Sequence, residues 1–333
     1  MSIEAIAYAI PGLRHTAEDI AAQTGADAAF IGDKVGLRTR QLLGPGESGI
    51  ALSVAACRRL MEANPALKPE EVGLLVCVTQ NPDRRIPHNA PGIAHQLGLG
   101  HTVASFDISL GCSGYVYALE IVEGFLQRAG LKNAILVTCD PYSRIMASED
   151  RDTNCIFGDA ATATWVRSGA GRSETLAVDF GTDGGGADAI EIPAGGALRP
   201  LVSLEGEGPV ASYGRDKLRL HMRGRAVYNF VMSRVPGSLE ACLAKAGKTL
   251  DDMDWFALHQ GSIYMLDSLA RRVGIPQDKL LKNMDRYGNT VSSTIPLLLA
   301  ELDERGALGG RTILLSGFGV GLSWASAVIR FHR

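Results

Sequence analysis

One cysteine of this sequence stands where a thiol could act as a nucleophile. Cys112 lies in the small-residue turn Gly-Cys-Ser-Gly, between a β-rich run that ends near Leu110 and an apolar run that continues to Leu126. Apolar residues recur at helical spacing in the second run, which predicts a buried helix with Cys112 in its first turn. Backbone N–H groups and the positive end of the helix dipole would lower the thiol pKa there and favour the thiolate. That is the environment of a nucleophile.

The same turn also fits a cysteine without a chemical role. Free cysteines are usually small buried hydrophobic residues, and the turn alone leaves both interpretations open. The cysteines are scattered and show neither a CxxC pair nor the Cys/His spacing of a zinc site, which argues against a disulfide framework and against a bound metal. We therefore expect most of them to be reduced core residues. The six are Cys57, Cys77, Cys112, Cys139, Cys155 and Cys242.

The composition fits a large α/β enzyme of the cytoplasm. The chain has 333 residues, of which 46% are hydrophobic and 39 are glycine, enough for a sizeable core and many tight turns. A net charge of −3 gives no basic field that would attract nucleic acid or an anionic membrane. No run approaches the roughly 20 apolar residues that span a bilayer. We expect a cytoplasmic protein without a nucleic-acid partner and without membrane insertion.

Chemistry at Cys112 needs a scaffold, and the first half of the chain is typical of an α/β unit. Continuous apolar runs such as 73–80 and 131–139 are typical of strands buried on both faces of a sheet. Amphipathic segments between them predict helices. The patterns predict strands at 3–10, 73–80, 131–139 and 157–166, and helices at 16–29, 48–63, up to about residue 97, and 112–126.

The second half of the chain repeats this arrangement. Three of its segments resemble segments of the first half in composition and order, which indicates a duplication. The stretch between them, about 168–225, is rich in Gly and Pro. We expect two similar α/β halves at 1–170 and 171–333. The matched pairs are 70–80 with 250–260, 131–138 with 310–316, and 157–166 with 317–329.

Two further polar residues stand at the ends of predicted elements. His259 follows an apolar run that ends at Leu258, and Asn289 follows Gly288. Alone, His259 could be a satisfied core histidine, and Asn289 could be a turn residue, because asparagine tolerates left-handed backbone geometry. The order Cys112, His259, Asn289, followed by a Gly-Phe-Gly-Val-Gly turn, favours a functional set. This set resembles the thiolase superfamily, and most closely its β-ketoacyl-acyl-carrier-protein synthase III branch.

The resemblance implies a five-layered αβαβα fold of two duplicated halves that works as a homodimer. It also implies that Cys112 attacks an acyl thioester, while the backbone N–H groups of Cys112 and Val320 hold the developing oxyanion. A malonyl-type thioester would then lose carbon dioxide, with His259 and Asn289 as neutral donors to its enolate oxygen. Attack on the acyl group would give a β-ketoacyl product. The implied substrates are thioesters of coenzyme A or acyl-carrier protein, without a bound cofactor or metal.

The sequence departs from the resembled family at the expected substrate entrance. Many relatives carry Trp and Arg where this chain has Phe30 and Lys34, with Arg38 nearby, and the loss of bidentate phosphate binding weakens the expectation of priming by coenzyme A. Ser262 and Tyr264 stand where Asn and Arg are common. These five are candidate substrate-binding residues. The changes indicate a specialised synthase of a secondary-metabolite, signal or surface-lipid pathway.

Two other regions are candidates for contact with a partner. The loop 81–88 matches a region that in relatives crosses the dimer interface and lines the acyl pocket, so Ile86 is a candidate chain-length wall, with an ordinary interface loop as the alternative. Arg219, Arg223 and Arg225 could form a basic patch that docks an acidic acyl-carrier protein, or they could be part of a solvated face.

Other chemistries compete for the same residues. Cys112 could pass its acyl group to a hydroxyl or amine with His259 as general base, and this acyltransferase interpretation stays open. A degradative thiolase would need a second cysteine near the last Gly-rich turn, a hydroxymethylglutaryl synthase would need a general-base Glu, and a chalcone synthase-like chain would be longer. A non-catalytic partner subunit would be expected to have a broken triad. A Cys/His protease or serine hydrolase is disfavoured, because the turn is not GxSxG.

Overall fold

Two large sheets form the frame of the molecule. The computed structural model describes residues 1–200 and 215–333, and the structural statements that follow concern this part of the chain. Its thirteen strands are β1 (Ser2–Ala9), β2 (Leu13–Thr16), β3 (Thr39–Leu42), β4 (Val72–Val78), β5 (Ala104–Ile108), β6 (Asn133–Cys139), β7 (Ala161–Arg167), β8 (Ser173–Thr182), β9 (Ile190–Glu191), β10 (His221–Met222), β11 (Trp255–Leu258), β12 (Thr312–Gly319) and β13 (Ser323–Phe331).

Helices connect and cover these strands. The described residues hold ten α-helices, together with a π-helical turn at Ile31–Val35 and short 3-10 turns. The α-helices are α1 (Ala17–Thr24), α2 (Ala28–Phe30), α3 (Gly49–Ala63), α4 (Asn89–Gln96), α5 (Gly114–Ala129), α6 (Arg151–Asn154), α7 (Gly224–Lys245), α8 (Ile263–Val273), α9 (Met284–Tyr287) and α10 (Thr294–Glu304).

The two large sheets share one topology. The first has the strand order β1-β7-β6-β4-β5, and the second, read in the same sense, has the order β8-β13-β12-β11. In each sheet the first two neighbouring pairs are antiparallel and the next pair is parallel. The predicted duplication is therefore visible as strand order and direction. The first sheet ends at Arg167 and the second begins at Ser173, while the division into 1–170 and 171–333 stays a prediction.

Helices and sheets alternate in five layers. Apolar residues of α3 and α4 pack on the outer face of the first sheet. Helices α5 and α10 lie between the sheets, where their buried residues contact strands of both. Helices α7 and α8 cover the outer face of the second sheet. Strand β4 shows why both faces are apolar, since Val76 faces the central helices and Cys77 faces the outer layer. The predicted αβαβα fold is confirmed.

Most predicted elements exist with shifted ends. The helix predicted at 16–29 stops at Thr24, because Gly25 adopts a left-handed conformation with φ of 67° and closes the helix. The strand predicted from residue 157 begins at Ala161, because Phe157 forms an isolated bridge to Asn289 and residues 158–160 are irregular. Helix α5 begins at Gly114, so Cys112 lies in the turn directly before the helix rather than within its first turn. Residues 201–214 of the Gly- and Pro-rich stretch lie outside the described residues.

Candidate active site

One cavity of about 290 Å³ brings together the three predicted catalytic residues. Cys112, His259 and Asn289 all line it, although they come from three separate segments. Cys112 lies between β5 and α5, His259 follows β11, and Asn289 lies between α9 and α10. Strands β5 and β11 each run parallel to a neighbour, and polar residues at the carboxyl ends of parallel strands meet at one edge. The structure therefore assembles the predicted set.

The last Gly-rich turn closes directly against the cysteine. A Cβ atom at Gly319 would lie 2.9 Å from both Cβ and Sγ of Cys112, so this strand end passes the thiol without room for a side chain. The backbone N–H groups of Cys112 and of Val320 both lower the thiol pKa, because both reach the sulfur. Two N–H donors beside one nucleophile form the arrangement of an oxyanion hole.

Burial dominates the acidity of this thiol. The side chain of Cys112 is 5% exposed, and its desolvation raises the thiol pKa to about 12. The negative charge of Asp140 raises it further, while the two N–H groups oppose both effects. The lowered thiol pKa expected from the sequence is therefore wrong for the free protein. The reason is that the cavity wall covers the turn. The thiolate therefore loses more stabilisation by water than it gains from the N–H groups near the start of the helix.

The imidazole of His259 is neutral and fixed. Burial lowers its pKa to about 3, and the Val291 carbonyl opposes this shift. Its Nδ1 lies 2.8 Å from the Thr294 hydroxyl oxygen, and its ring meets the edge of Phe318 at a centroid distance of 5.5 Å. Because Nδ1 is held by Thr294, Nε2 is the nitrogen left for a substrate.

The carboxamide of Asn289 is oriented by its own turn. Its Oδ1 accepts a hydrogen bond of 2.9 Å from the Val291 N–H, which leaves Nδ2 as the group for the cavity. Gly288 before it has a φ of 69°, and a Cβ atom there would lie 2.8 Å from the Ile156 carbonyl oxygen. The turn therefore requires glycine at 288, and this requirement places Asn289 at the cavity.

A buried carboxylate lies close to these residues, and the sequence analysis missed it. Asp140 follows β6; its Oδ1 accepts the Gln80 backbone N–H at 2.6 Å, and its Oδ2 accepts the Ser292 hydroxyl at 2.5 Å. Burial raises its pKa to about 6. A polar residue directly after the buried strand that ends at Cys139 was the available signal.

Relatives of known family match this chain over its whole length. Models described as 3-oxoacyl-[acyl-carrier-protein] synthase III and its C-terminal region match residues 106–184 and 243–331. The β-ketoacyl-[acyl-carrier-protein] synthase III of Prochlorococcus marinus is 33% identical over 327 residues, which cover 97% of this chain and 94% of that protein. The chain belongs to the β-ketoacyl-acyl-carrier-protein synthase III family.

Solved structures agree with this membership. The crystal structure of a 3-oxoacyl-(acyl-carrier-protein) synthase III superimposes with a TM-score of 0.91 at 34% identity, covering 99% of both chains. The priming β-ketosynthase of the R1128 polyketide pathway superimposes with a TM-score of 0.87 at 26% identity, covering 99% of this chain and 96% of the other. This synthase III family member is a condensing enzyme of the acyltransferase class.

Two of the predicted substrate-binding residues line the cavity of this synthase III. Ser262 begins α8, where its hydroxyl accepts the Met265 N–H at 3.2 Å. Tyr264 is 51% exposed at the cavity and stacks on Tyr228, with ring centroids 5.7 Å apart. A stacked aromatic pair, with Tyr264 exposed and Tyr228 half-buried, therefore flanks the apolar cavity.

The other predicted substrate-binding residues lie outside the cavity lining. Phe30 lines a neighbouring groove that shares Met222 with the cavity. Lys34 and Arg38 are exposed and line neither space. Ile86 is 88% exposed and does not line the cavity of its own chain. The structure therefore brings Phe30 near the site, and it does not bring Lys34, Arg38 or Ile86 into it.

The three arginines predicted to dock a carrier protein differ in whether a neighbouring residue already binds their guanidinium group. Arg219 donates to the Met146 carbonyl at 2.7 Å, and Arg223 forms an ion pair with Asp188. Arg225 is exposed and has no ion-pair partner among the described residues. A basic docking patch at this place therefore rests mainly on Arg225 and stays a prediction.

Residues 1–200 and 215–333 show neither a metal-binding cluster nor a helix that could cross a membrane. In these ranges no group of three or more His, Cys, Asp or Glu side chains is arranged to hold a metal ion. None of the helices described there is both long and apolar enough to cross a bilayer.

Proposed function

We propose that this synthase loads an acyl group from a thioester onto Cys112 and condenses it with a malonyl-type thioester to give a β-ketoacyl product. One observation carries the proposal: Cys112, His259, Asn289 and the Val320 N–H converge on a single apolar cavity. A nucleophile, an oxyanion hole and two neutral polar groups are the parts that the two steps need.

The first step transfers the acyl group to sulfur. The Cys112 Sγ attacks the thioester carbonyl carbon, and the oxygen gains negative charge beside the Cys112 and Val320 N–H groups. Collapse of this intermediate expels the carrier thiolate, which takes up the proton released from the cysteine. Because burial raises the thiol pKa to about 12, the free thiol is neutral at pH 7. Its proton must therefore leave as the Sγ–C bond forms, and the negative charge then develops on the thioester oxygen.

The second step uses the groups from the other half. Loss of the malonyl carboxylate as carbon dioxide leaves its electron pair as an enolate, whose oxygen His259 and Asn289 stabilise by hydrogen bonds. Each such donor contributes about 3 kcal/mol to lowering the barrier. The enolate carbon attacks the acyl-Cys112 carbonyl, and departure of Sγ gives the β-ketoacyl thioester. Neutral donors suit this step, and burial keeps the imidazole of His259 neutral.

The substrates we propose are thioesters of coenzyme A or of an acyl-carrier protein, without a bound cofactor. The apolar lining, which includes Tyr142, Phe157 and Phe318, suits a hydrocarbon acyl group. Phe30, Ser262 and Tyr264 would contact the incoming carrier arm, Lys34 and Arg38 would attract its phosphate from outside, and Arg225 would meet an acidic carrier. The uncharged Tyr264 at the entrance supports a specialised pathway.

We also propose that the working form is a homodimer. Strand β5 is an edge strand that, among residues 1–200 and 215–333, pairs only with β4, and all five of its residues are half-buried. Phe106 of β5 packs on Phe125 of α5 at a centroid distance of 5.9 Å, and Ile121 of the same helix and Phe180 of β8 are exposed, at 40% and 41%. An unpaired edge with apolar neighbours is typical of a surface that a second copy covers. The exposed Ile86 would then act as a chain-length wall in the partner's cavity. A cytoplasmic location stays a prediction.

Intact-mass spectrometry tests the proposed chemistry. The wild type and a Cys112→Ala variant are incubated with acyl thioesters of increasing length, on coenzyme A and on carrier protein, before malonyl thioester is added. We expect an adduct that Cys112→Ala lacks and that malonyl thioester removes with release of carbon dioxide. Cys57→Ala, at another buried cysteine, is the matched control and should load normally.

Two outcomes would contradict the proposal in different ways. An adduct that malonyl thioester leaves in place would favour transfer of the acyl group to a hydroxyl or amine without condensation. If no acyl group loads from either carrier, the assignment of Cys112 as the nucleophile is wrong.

A further inference from the structure

The hydrogen of a neutral imidazole can sit on either nitrogen, and only one position allows donation to a substrate. His259 is neutral, its Nδ1 lies 2.8 Å from the Thr294 hydroxyl oxygen, and the Val291 carbonyl also acts on its ring. To donate to the enolate oxygen, His259 must carry its hydrogen on Nε2, so Nδ1 must accept a hydrogen bond. The donor role in the proposed function therefore depends on what Nδ1 meets.

The Thr294 hydroxyl has one hydrogen and two possible acceptors. Its oxygen lies 2.8 Å from Nδ1 of His259 and 3.0 Å from the Val291 carbonyl oxygen. Both distances lie within the ordinary range for a hydroxyl donor, and the contact with Nδ1 is the shorter of the two. The Val291 carbonyl already accepts the backbone N–H of Thr294. Nδ1 has no other donor within the described residues, so an imidazole that carries its hydrogen on Nε2 needs the hydroxyl hydrogen at Nδ1.

The same short turn also orients the second donor. The Val291 N–H holds Oδ1 of Asn289 at 2.9 Å and turns Nδ2 to the cavity. The turn is anchored to the first half of the chain, because Ser292 donates to Asp140 and Ser293 donates to the Ala160 carbonyl at 3.1 Å. Residues 289–294 thus fix which atoms of both polar groups face a substrate.

We propose that Thr294 is a positioning residue for the condensation step: its hydroxyl donates to Nδ1 of His259 and thereby places the ring hydrogen on Nε2, toward the thioester oxygen. This inference rests on the proposed function and adds a residue to it. Thr294 is 1% exposed and does not line the cavity, so it acts through the residues that it contacts and not on a substrate directly.

Three variants separate this role from a structural one. Thr294→Val keeps the shape and removes the hydroxyl, and Thr294→Ser keeps the hydroxyl. Ser293→Ala removes the neighbouring buried hydroxyl, which has no hydrogen bond to His259. Acyl loading on Cys112 and carbon dioxide release from malonyl thioester are measured separately for each variant. Nitrogen NMR of histidine-labelled wild type reports which ring nitrogen carries hydrogen.

The positioning role predicts that loss of the Thr294 hydroxyl slows carbon dioxide release and leaves acyl loading unchanged. We expect Thr294→Val to lower kcat for carbon dioxide release at least about tenfold, because loss of a hydrogen bond of ordinary strength lets the other tautomer compete. KM for malonyl thioester and the loading rate should stay within about twofold, since neither depends on the Nε2 hydrogen. Thr294→Ser should restore the release rate, and Ser293→Ala should affect both steps together if it affects either.

Several results would overturn the inference. A hydrogen on Nδ1 in the wild type would do so directly, and this measurement needs no variant to fold. Equal loss of both steps in Thr294→Val, or failure of Thr294→Ser to restore the rate, would assign Thr294 a structural role only. If wild type loads no acyl group at all, the proposed function fails instead, while the nitrogen spectrum still decides the tautomer.

Discussion

Gly319 and Cys112 are packed so closely that a single methyl group on Gly319 would overlap the Cys112 side chain. The added Cβ would lie 2.9 Å from Sγ and Cβ of Cys112. We expect Gly319→Ala to cost about 1–3 kcal/mol of unfolding free energy through overpacking. It should also slow acyl loading at least about tenfold, because a displacement of the sulfur spoils the attack geometry. Urea unfolding and intact-mass loading rates measure the two effects.

Gly124→Ala is the matched control for this substitution. Gly124 lies on the exposed side of α5, where an added Cβ meets nothing within 4 Å. We expect this variant to load normally and to gain about 0.5–1 kcal/mol from helix propensity. Normal loading by Gly319→Ala would show that the end of β12 can move to make room for the methyl group. The close contact between Gly319 and Cys112 would then not be needed for acyl loading.

The charge of Asp140 should be measurable at the thiol of Cys112. Asp140 has a pKa of about 6, so it is charged at pH 8. Its charge raises the pKa of the Cys112 thiol, and only burial has a larger effect in that direction. Asp140→Asn should therefore lower the thiol pKa and speed alkylation by iodoacetamide at pH 8 roughly two- to tenfold. The pH profile of alkylation is the measurement.

The control for this prediction is a second buried carboxylate that lies elsewhere in the structure. Asp159 is also buried, but it bonds Ser143 and the Leu43 N–H and does not contribute to the pKa of Cys112. We expect Asp159→Asn to leave the alkylation profile in place. A profile that Asp140→Asn does not move would contradict the assigned charge effect.

Buried His259 should make the protein less stable in mild acid. Its pKa is about 3 in the folded protein and about 6.5 in an unfolded chain, so between these values the unfolded chain binds a proton that the folded one does not. Stability from this group is complete above pH 6.5 and falls as pH falls toward 3. We expect wild type to lose about 2 kcal/mol more unfolding free energy from pH 7 to pH 5 than His259→Gln does.

Urea unfolding at fixed protein concentration measures this difference. His95→Gln, at an exposed histidine of α4, is the control and should follow the wild type. An equal pH response of wild type and His259→Gln would mean that the imidazole takes up its proton without unfolding.

Tyr142 should limit the length of the acyl chain. Its buried ring lines the cavity and packs on Phe157 at a centroid distance of 5.0 Å, and its hydroxyl donates to Gln80 Oε1 at 3.0 Å. Tyr142→Leu should cost about 2–4 kcal/mol and shift loading toward longer acyl groups, because the cavity grows. A mixture of acyl thioesters, read by intact mass, gives the preference directly.

Tyr142→Phe keeps the ring and removes only the hydroxyl. We expect it to cost about 1 kcal/mol and to keep the chain-length preference of the wild type. If Tyr142→Leu also keeps that preference, the wall of the acyl site lies elsewhere, for instance at the partner's loop.

The sequence alone determined the family, the order of the elements and the three polar residues of the site. Cys112, His259 and Asn289 could be selected because each follows a predicted strand or turn in a recognisable order, and all three line one cavity. Strand patterns also gave the duplication, which the two sheets confirm. These features are local, since periodicity and turn residues are written in consecutive positions.

Only the tertiary structure decided what surrounds those residues. The helix start near Cys112 predicted an acidic thiol, but the cavity wall covers the turn and raises its pKa instead. The position of Asp140 directly after a strand was a signal, but its contact with Ser292, 152 residues away in the chain, and the contact of Thr294 with His259 exist only in the fold. Likewise, Ile86 proved to be exposed and outside the lining of its own chain's cavity. Desolvation and long-range hydrogen bonds depend on which segments meet, and folding alone determines that.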